Sequence, residues 1–89
     1  MLRLTVELHT PEEVRLKVEG RVAGESVVLL EQEASRWLQE SARLVLDLTG
    51  VQFIDREGIA CMKRCSEGRL VLFGGSPFIR ALLAKHGLN

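Results

Sequence analysis

A chain of 89 residues has room for one domain built on a single modest core. It is 46% hydrophobic and 27% charged, and its 12 basic and 12 acidic side chains cancel, so nothing draws it to a nucleic-acid backbone or an anionic membrane. No stretch nears the roughly 18 apolar residues of a membrane span, and the N-terminus alternates from the start instead of showing a signal-peptide core. Neither direct membrane insertion nor nucleic acid is expected, and the expected location is the cytoplasm.

Leu2, Leu4, Val6 and Leu8 alternate with Arg3, Thr5 and Glu7, and Val14, Leu16 and Val18 alternate with Arg15, Lys17 and Glu19. A period of two predicts half-buried strands. The short segment 9–12 makes them a hairpin. Gly20 to Gly24 reads as a loop. From about Glu25 to Ser41 the period lengthens, and Val27, Leu30, Ala34, Trp37, Leu38 and Ser41 share one helical face. Leu44, Leu46 and Leu48 restore the strand period, and Thr49-Gly50-Val51-Gln52 reads as a turn. A second helix is expected from about Arg56 to Glu67, ended by Gly68. Leu70 to Phe73 is a fourth strand. Ser76-Pro77 then starts a helix with Ser as N-cap and Pro in the first position. Phe78, Ile79, Leu82 and Leu83 are its apolar face, and Gly87 closes it.

The order ββαβαβα predicts an α/β domain over residues 1–89 with a four-stranded mixed sheet: an N-terminal hairpin followed by parallel βαβαβα. The leucine faces of all four strands can point to one side, under the helices. The other side then carries Arg3, Glu7, Arg15, Lys17, Arg43 and Asp47, with Val45, Val71 and Phe73 as a small apolar strip.

The stretch Leu44 to Ile59 holds the most chemical information. Asp55 is placed to cap the second helix, Arg56 and Glu57 follow as its first residues, and Gly58 allows close backbone approach. This helix start lies at the carboxyl end of a parallel strand, where α/β sheets place their sites. Other candidates carry less. Cys61 and Cys65 are four apart on a helix, and the two histidines, His9 and His86, sit in distant segments. No metal site is expected, and the thiols read as reduced, small apolar residues. Gly74-Gly75-Ser76-Pro77 lacks the lysine of a phosphate loop and reads as a plain turn. No serine stands in a Gly-x-Ser-x-Gly elbow. Nothing supplies a catalytic base or paired carboxylates across a cleft, so the chain is expected not to be an enzyme and to need no cofactor.

Asp47-Leu48-Thr49-Gly50-Val51-Gln52-Phe53-Ile54-Asp55-Arg56-Glu57-Gly58-Ile59 resembles the strand-to-helix signature of the STAS family, a strand ending in Asp-Leu and then an Asp-Ser-Ser-Gly turn. Val18-Glu19-Gly20-Arg21-Val22 resembles the family's strand and glycine loop, and the similarity runs on through Leu70 to Leu88. The family includes the bacterial anti-sigma factor antagonists. The resemblance implies a regulatory module that binds another protein, an anti-sigma factor or kinase-like partner. The chain departs from the family in two ways. The usual last strand and helix are absent from residues 1–89, and the phospho-acceptor serine before the glycine is replaced by Glu57.

A phosphoserine there would add a charge of about −1.5 to −2 near the positive end of the helix dipole. Glu57 carries a fixed single negative charge in the same place. One reading is a module frozen in one state, recognising its partner without phosphate control. The other is that Glu57 is an ordinary first-turn residue. The partner surface expected from this resemblance comprises Asp55, Arg56, Glu57, Gly58, Lys63, Arg64, Gly20 and Arg21. A STAS-like subunit of a lipid or anion transport assembly is the alternative function, with a transporter subunit as partner. Weak homodimerisation is a further option.

Overall fold

The computed structural model describes residues 1–65 and 68–88. Its elements are β1 (Leu2–His9), β2 (Glu13–Val22), α1 (Glu25–Glu40), β3 (Arg43–Ile54), α2 (Arg56–Cys65), β4 (Leu70–Phe73) and α3 (Pro77–Lys85). The sheet order is β1-β2-β3-β4, with β1 antiparallel to β2 and the remaining pairs parallel. This is the four-stranded mixed sheet that the alternation predicts. The expected end of the second helix, at Ser66 and Glu67, lies outside the described residues.

Period-two alternation places Val14, Leu16 and Val18 of β2 and Leu44, Leu46 and Leu48 of β3 on one face. Val27, Leu30, Ala34 and Trp37 of α1, Ile59 and Met62 of α2, and Ile79 and Leu83 of α3 complete the same core. Burial of a Leu or Val side chain contributes about 1.5–3 kcal/mol, so the two central strands and the helix stripes account for most of the cohesion. Val45 is also buried but lies outside that cluster, on the open face, between Arg15 and Val71 in register.

Local chemistry fixes the ends of the elements. Ser76 caps α3 by accepting from the Ile79 N–H at 3.2 Å, with Pro77 in the first helical position. At the other end Gly87 N–H donates to Ala84 O at 3.0 Å and Leu88 N–H donates to Leu83 O at 2.8 Å. That is the Schellman pattern, and Leu88 folds back into the core as its apolar contact. In the hairpin, Thr10 Oγ1 accepts from the Glu13 N–H at 3.0 Å, and the buried Ser41 hydroxyl donates to Thr10 O at 2.7 Å.

Five expectations need correction. Gly20, Arg21 and Val22 are not a loop; β2 runs through Val22 and only Ala23 and Gly24 separate it from α1. Thr49 to Gln52 is not a turn, because β3 continues to Ile54. The register between β2 and β3 slips between Lys17 and Glu19 and again between Gly20 and Arg21. Each slip adds a residue to β3, so the core-facing positions Leu48, Val51 and Ile54 fall three apart and the alternation disappears from the sequence. On β1, a bulge between Val6 and Leu8 brings Leu8 opposite Arg15, so Leu8 leaves the core face and stands 41% exposed. Phe53 joins Leu8 in making the open face more apolar than the strip of Val45, Val71 and Phe73 alone, since it pairs in register with Arg21. Phe78 is 61% exposed and takes no part in the apolar face of α3.

Candidate protein-interaction site

The ends of β2 and β3 are neighbours, since Val22 pairs with Ile54. Their following helices therefore start side by side. Asp55 joins them. Its Oδ1 accepts from the Gly58 N–H at 2.7 Å, capping α2, and its Oδ2 accepts from the Gly24 N–H at 3.0 Å at the start of α1. Its own N–H donates to Val22 O at 3.0 Å. The amides of Gly24 and then Gly58 hold the Asp55 carboxyl below the ordinary carboxylate range.

Gly58 is wedged against the end of β2. A Cβ there would stand 2.7 Å from Val22 O and 2.8 Å from Ile54 Cγ2, so only glycine fits without a shift. It is buried, and its part in the site is to seat the first turn of α2 rather than to meet a partner. Arg56 and Glu57 project from that turn into solvent. Residues seven apart on a helix nearly align, so Arg56 with Lys63 and Glu57 with Arg64 form two exposed rows, with half-buried Ala60 between them. Arg64 Nε donates to Glu31 Oε2 of α1 at 2.9 Å, which lowers the Glu31 pKa and raises that of Arg64. The outer face of α2 is thus charged along its length, with Arg56 and Glu57 at its start and Lys63 and Arg64 toward its end.

The structure brings Asp55, Arg56, Glu57, Gly58, Lys63 and Arg64 together. It does not bring Gly20 to them. Gly20 lies inside the sheet between β1 and β3, with φ +102° and the Met1 carbonyl oxygen 2.1 Å from where a Cβ would sit. Arg21 is exposed, but on the open face, with its guanidinium 4.7 Å over the Phe53 ring. Two parts of the site escaped sequence reasoning. One is the Gly24 amide, whose partner is 31 residues away. The other is the flank of α1, where Glu31 and exposed Val28 lie one turn apart. The apolar Val28 and Leu29, off the inner stripe of that helix, were a readable signal.

Among the described residues no group of three His, Cys, Asp or Glu side chains could hold a metal ion. Cys61 is buried and Cys65 half-buried, and the two are not joined as a disulfide. The second thiol, through a hydrogen bond, and then burial push the Cys61 pKa upward, away from a reactive thiolate. No described helix is long and apolar enough to cross a membrane.

A profile of the family described as "Mlab, STAS domain" matches residues 6–89. The chain belongs to that STAS family. Solved structures agree on the fold of this STAS domain. An anti-sigma factor antagonist from Mycobacterium paratuberculosis superposes with a TM-score of 0.82 at 21% identity, over 99% of this chain and 80% of the other. The anti-sigma factor antagonist SpoIIAA in its unphosphorylated form gives a TM-score of 0.71 at 19% identity, over 92% and 82% of the two chains. The phosphorylated form of the Bacillus cell fate determinant SpoIIAA gives 0.72 at 20% identity, over 97% and 85%. No curated protein sequence matches the chain.

Proposed function

We propose that this STAS domain is a non-catalytic regulatory module of the anti-sigma factor antagonist kind, which docks another protein on the start and outer face of α2. One observation carries the reading. Glu57 stands exposed in the first turn of α2, on a turn that Asp55 caps and ties to the loop before α1. Asp55-Arg56-Glu57-Gly58 resembles the family's Asp-Ser-Ser-Gly turn, with Glu57 at the switch serine. SpoIIAA is known in both an unphosphorylated and a phosphorylated form. Here the glutamate supplies a permanent charge, smaller than the −1.5 to −2 of a phosphate and favoured by the same helix dipole. The module then recognises its partner without phosphate control at this position.

A second reading, a STAS subunit of a lipid or anion transport assembly, is favoured by the exposed apolar side chains Leu8, Val71 and Phe73 on the open sheet face. Crosslinking separates the two. A photo-reactive residue replacing Lys63 should capture the partner in cells, and mass spectrometry identifies it as a kinase-like protein or a transporter subunit. Glu57→Lys should reduce that capture about tenfold, the effect of a lost charge pair at an interface, while Arg3→Glu on the open face leaves it unchanged. Capture unaffected by Glu57→Lys removes this surface from the interaction. Glu57→Ser should become a phosphate acceptor where the captured partner is a kinase.

A further inference from the structure

β4 is the last strand of the sheet, and its outer side meets no strand among the described residues. The parallel ladder reveals which groups that side presents. Leu44 N–H donates to Arg69 O at 2.9 Å, and Leu44 lies opposite Leu70. In a parallel pair the residues flanking the opposed one carry the bonds. Arg69, Val71 and Phe73 therefore turn their peptide groups toward β3, and Leu70, Leu72 and Gly74 turn theirs outward. Arg80 of α3 agrees with this parity. Its guanidinium reaches the Leu72 and Gly74 carbonyl oxygens at 3.5 and 3.4 Å. These are long bonds, which a better acceptor displaces readily.

Natural proteins blunt exposed edges with charge, proline or bulges. The other edge strand, β1, has its bulge at Glu7 and carries Arg3 and Glu7. β4 reads Leu70-Val71-Leu72-Phe73, with no charge, no proline and regular pairing. Val71 and Phe73 stand 42% and 57% exposed beside the edge. The local charge is one-sided. Residues 68–88 contain no Asp or Glu but carry Arg69, Arg80 and Lys85. Among the described residues no carboxylate lies within ion-pair distance of Arg80.

We infer that the outer edge of β4 is a docking edge for an extended acidic segment of a partner protein, which adds a strand to the sheet and draws Arg80 onto its own carboxylate. The outward peptide groups of Leu70 and Leu72 supply backbone hydrogen bonds, and alternate apolar side chains of the incoming strand cover Val71 and Phe73. An Asp or Glu opposite Gly74 releases the guanidinium from its two carbonyls and fixes the register. A second copy is a poor occupant, because the β4 segment of a facing copy, residues 68–75, holds no carboxylate to offer Arg80. An anionic bilayer offers charge but no strand to fill the ladder. This edge is separate from the start of α2, so its failure would leave the surface around Glu57 standing.

A library of random octapeptides displayed on phage and selected on the full chain tests the inference. Alternating apolar and acidic sequences should be enriched. A synthetic peptide of that kind should shift the Leu70 and Leu72 amides in NMR spectra and slow their hydrogen exchange. Arg80→Glu should weaken it about fivefold and redirect selection to lysine-bearing peptides, and Arg80→Gln should weaken it without that inversion. Unchanged β2 and β3 amide spectra certify that both variants are folded. Absence of enrichment, enrichment without acidic bias, or shifts confined to α2 amides overturns the proposal. So does self-association through β4, or binding only to phosphatidylglycerol vesicles.

Discussion

At Asp55 one carboxylate accepts from two amides at the starts of different helices, Gly24 before α1 and Gly58 in the first turn of α2. Removing it by Asp55→Ala leaves α2 uncapped and frees the start of α1. A lost N-cap alone costs about 1 kcal/mol, and a lost hydrogen bond to a charged group about 1.5–3 kcal/mol. Urea unfolding should therefore show a loss of about 2 kcal/mol. The same carboxylate gives stability a pH dependence of definite sign. Its pKa is depressed in the folded chain, as is that of Asp47, whose carboxylate accepts first from the Thr49 hydroxyl and then from the Thr49 N–H. A depressed folded pKa contributes stability that is complete above the unfolded value near 4 and is lost as pH falls through the folded value. Stability should be level in this respect from pH 5 to 7 and decline below about pH 4, and Asp55→Asn should flatten part of the decline. A variant that keeps the full acid slope would show that the two amide bonds do not set this pKa.

Among the elements, α1 shows how a helix end can be completed from elsewhere in the chain. Its last turn contains no basic residue and its C-terminal carbonyls face the loop before β4. Arg69 fills the gap. It donates from Nη2 to Leu38 O and to Ser41 O, the latter at 2.8 Å, and from Nε to Ala42 O at 3.0 Å. The cation also complements the negative end of the helix dipole. Arg69→Met keeps the stem and removes the donors, so it should cost about 1–3 kcal/mol and speed exchange of the Ser41 amide, which bonds to Trp37 O. Unchanged exchange at Ser41 would show that the helix end holds without the arginine. No pattern in residues 68–73 marks Arg69 for this task, because the partner carbonyls are about thirty residues earlier. By contrast the α3 ends were legible, since Ser76-Pro77 and Gly87 act within one turn of themselves.

For the whole molecule, the sheet has one face that carries the stability and one that is available for contact. Leu46→Ala, under the helices, should destabilise by about 2–5 kcal/mol. Val71→Thr, half-exposed on the open face, should change stability by less than about 0.5 kcal/mol while lowering binding of an apolar dye. A large loss from Val71→Thr would mean that the open face is part of the core. This division was readable wherever strands keep strict alternation, as in 14–18 and 44–48. It was not readable where the pairing slips. Glu7 at the β1 bulge reverses the side taken by Leu8, and the two slips opposite β2 hide the second half of β3 behind a pattern of threes. The candidate site divides in the same way. Asp55 as cap and Gly58 as a close-approach glycine follow from residue type and position, but whether Gly20 joined them depended on where β2 ended.

The order of side chains alone determined the element types, the parallel arrangement after the first hairpin and the exposed charge at the start of α2. Those features rest on interactions within one turn or one strand. Tertiary packing decided the reach of β2 and β3, the second amide held by Asp55, the Arg69 cap and the contacts of Arg80 with the β4 carbonyls. Each depends on backbone groups brought together from distant parts of the chain, and a peptide N–H or carbonyl looks the same at every position until the fold gives it a neighbour.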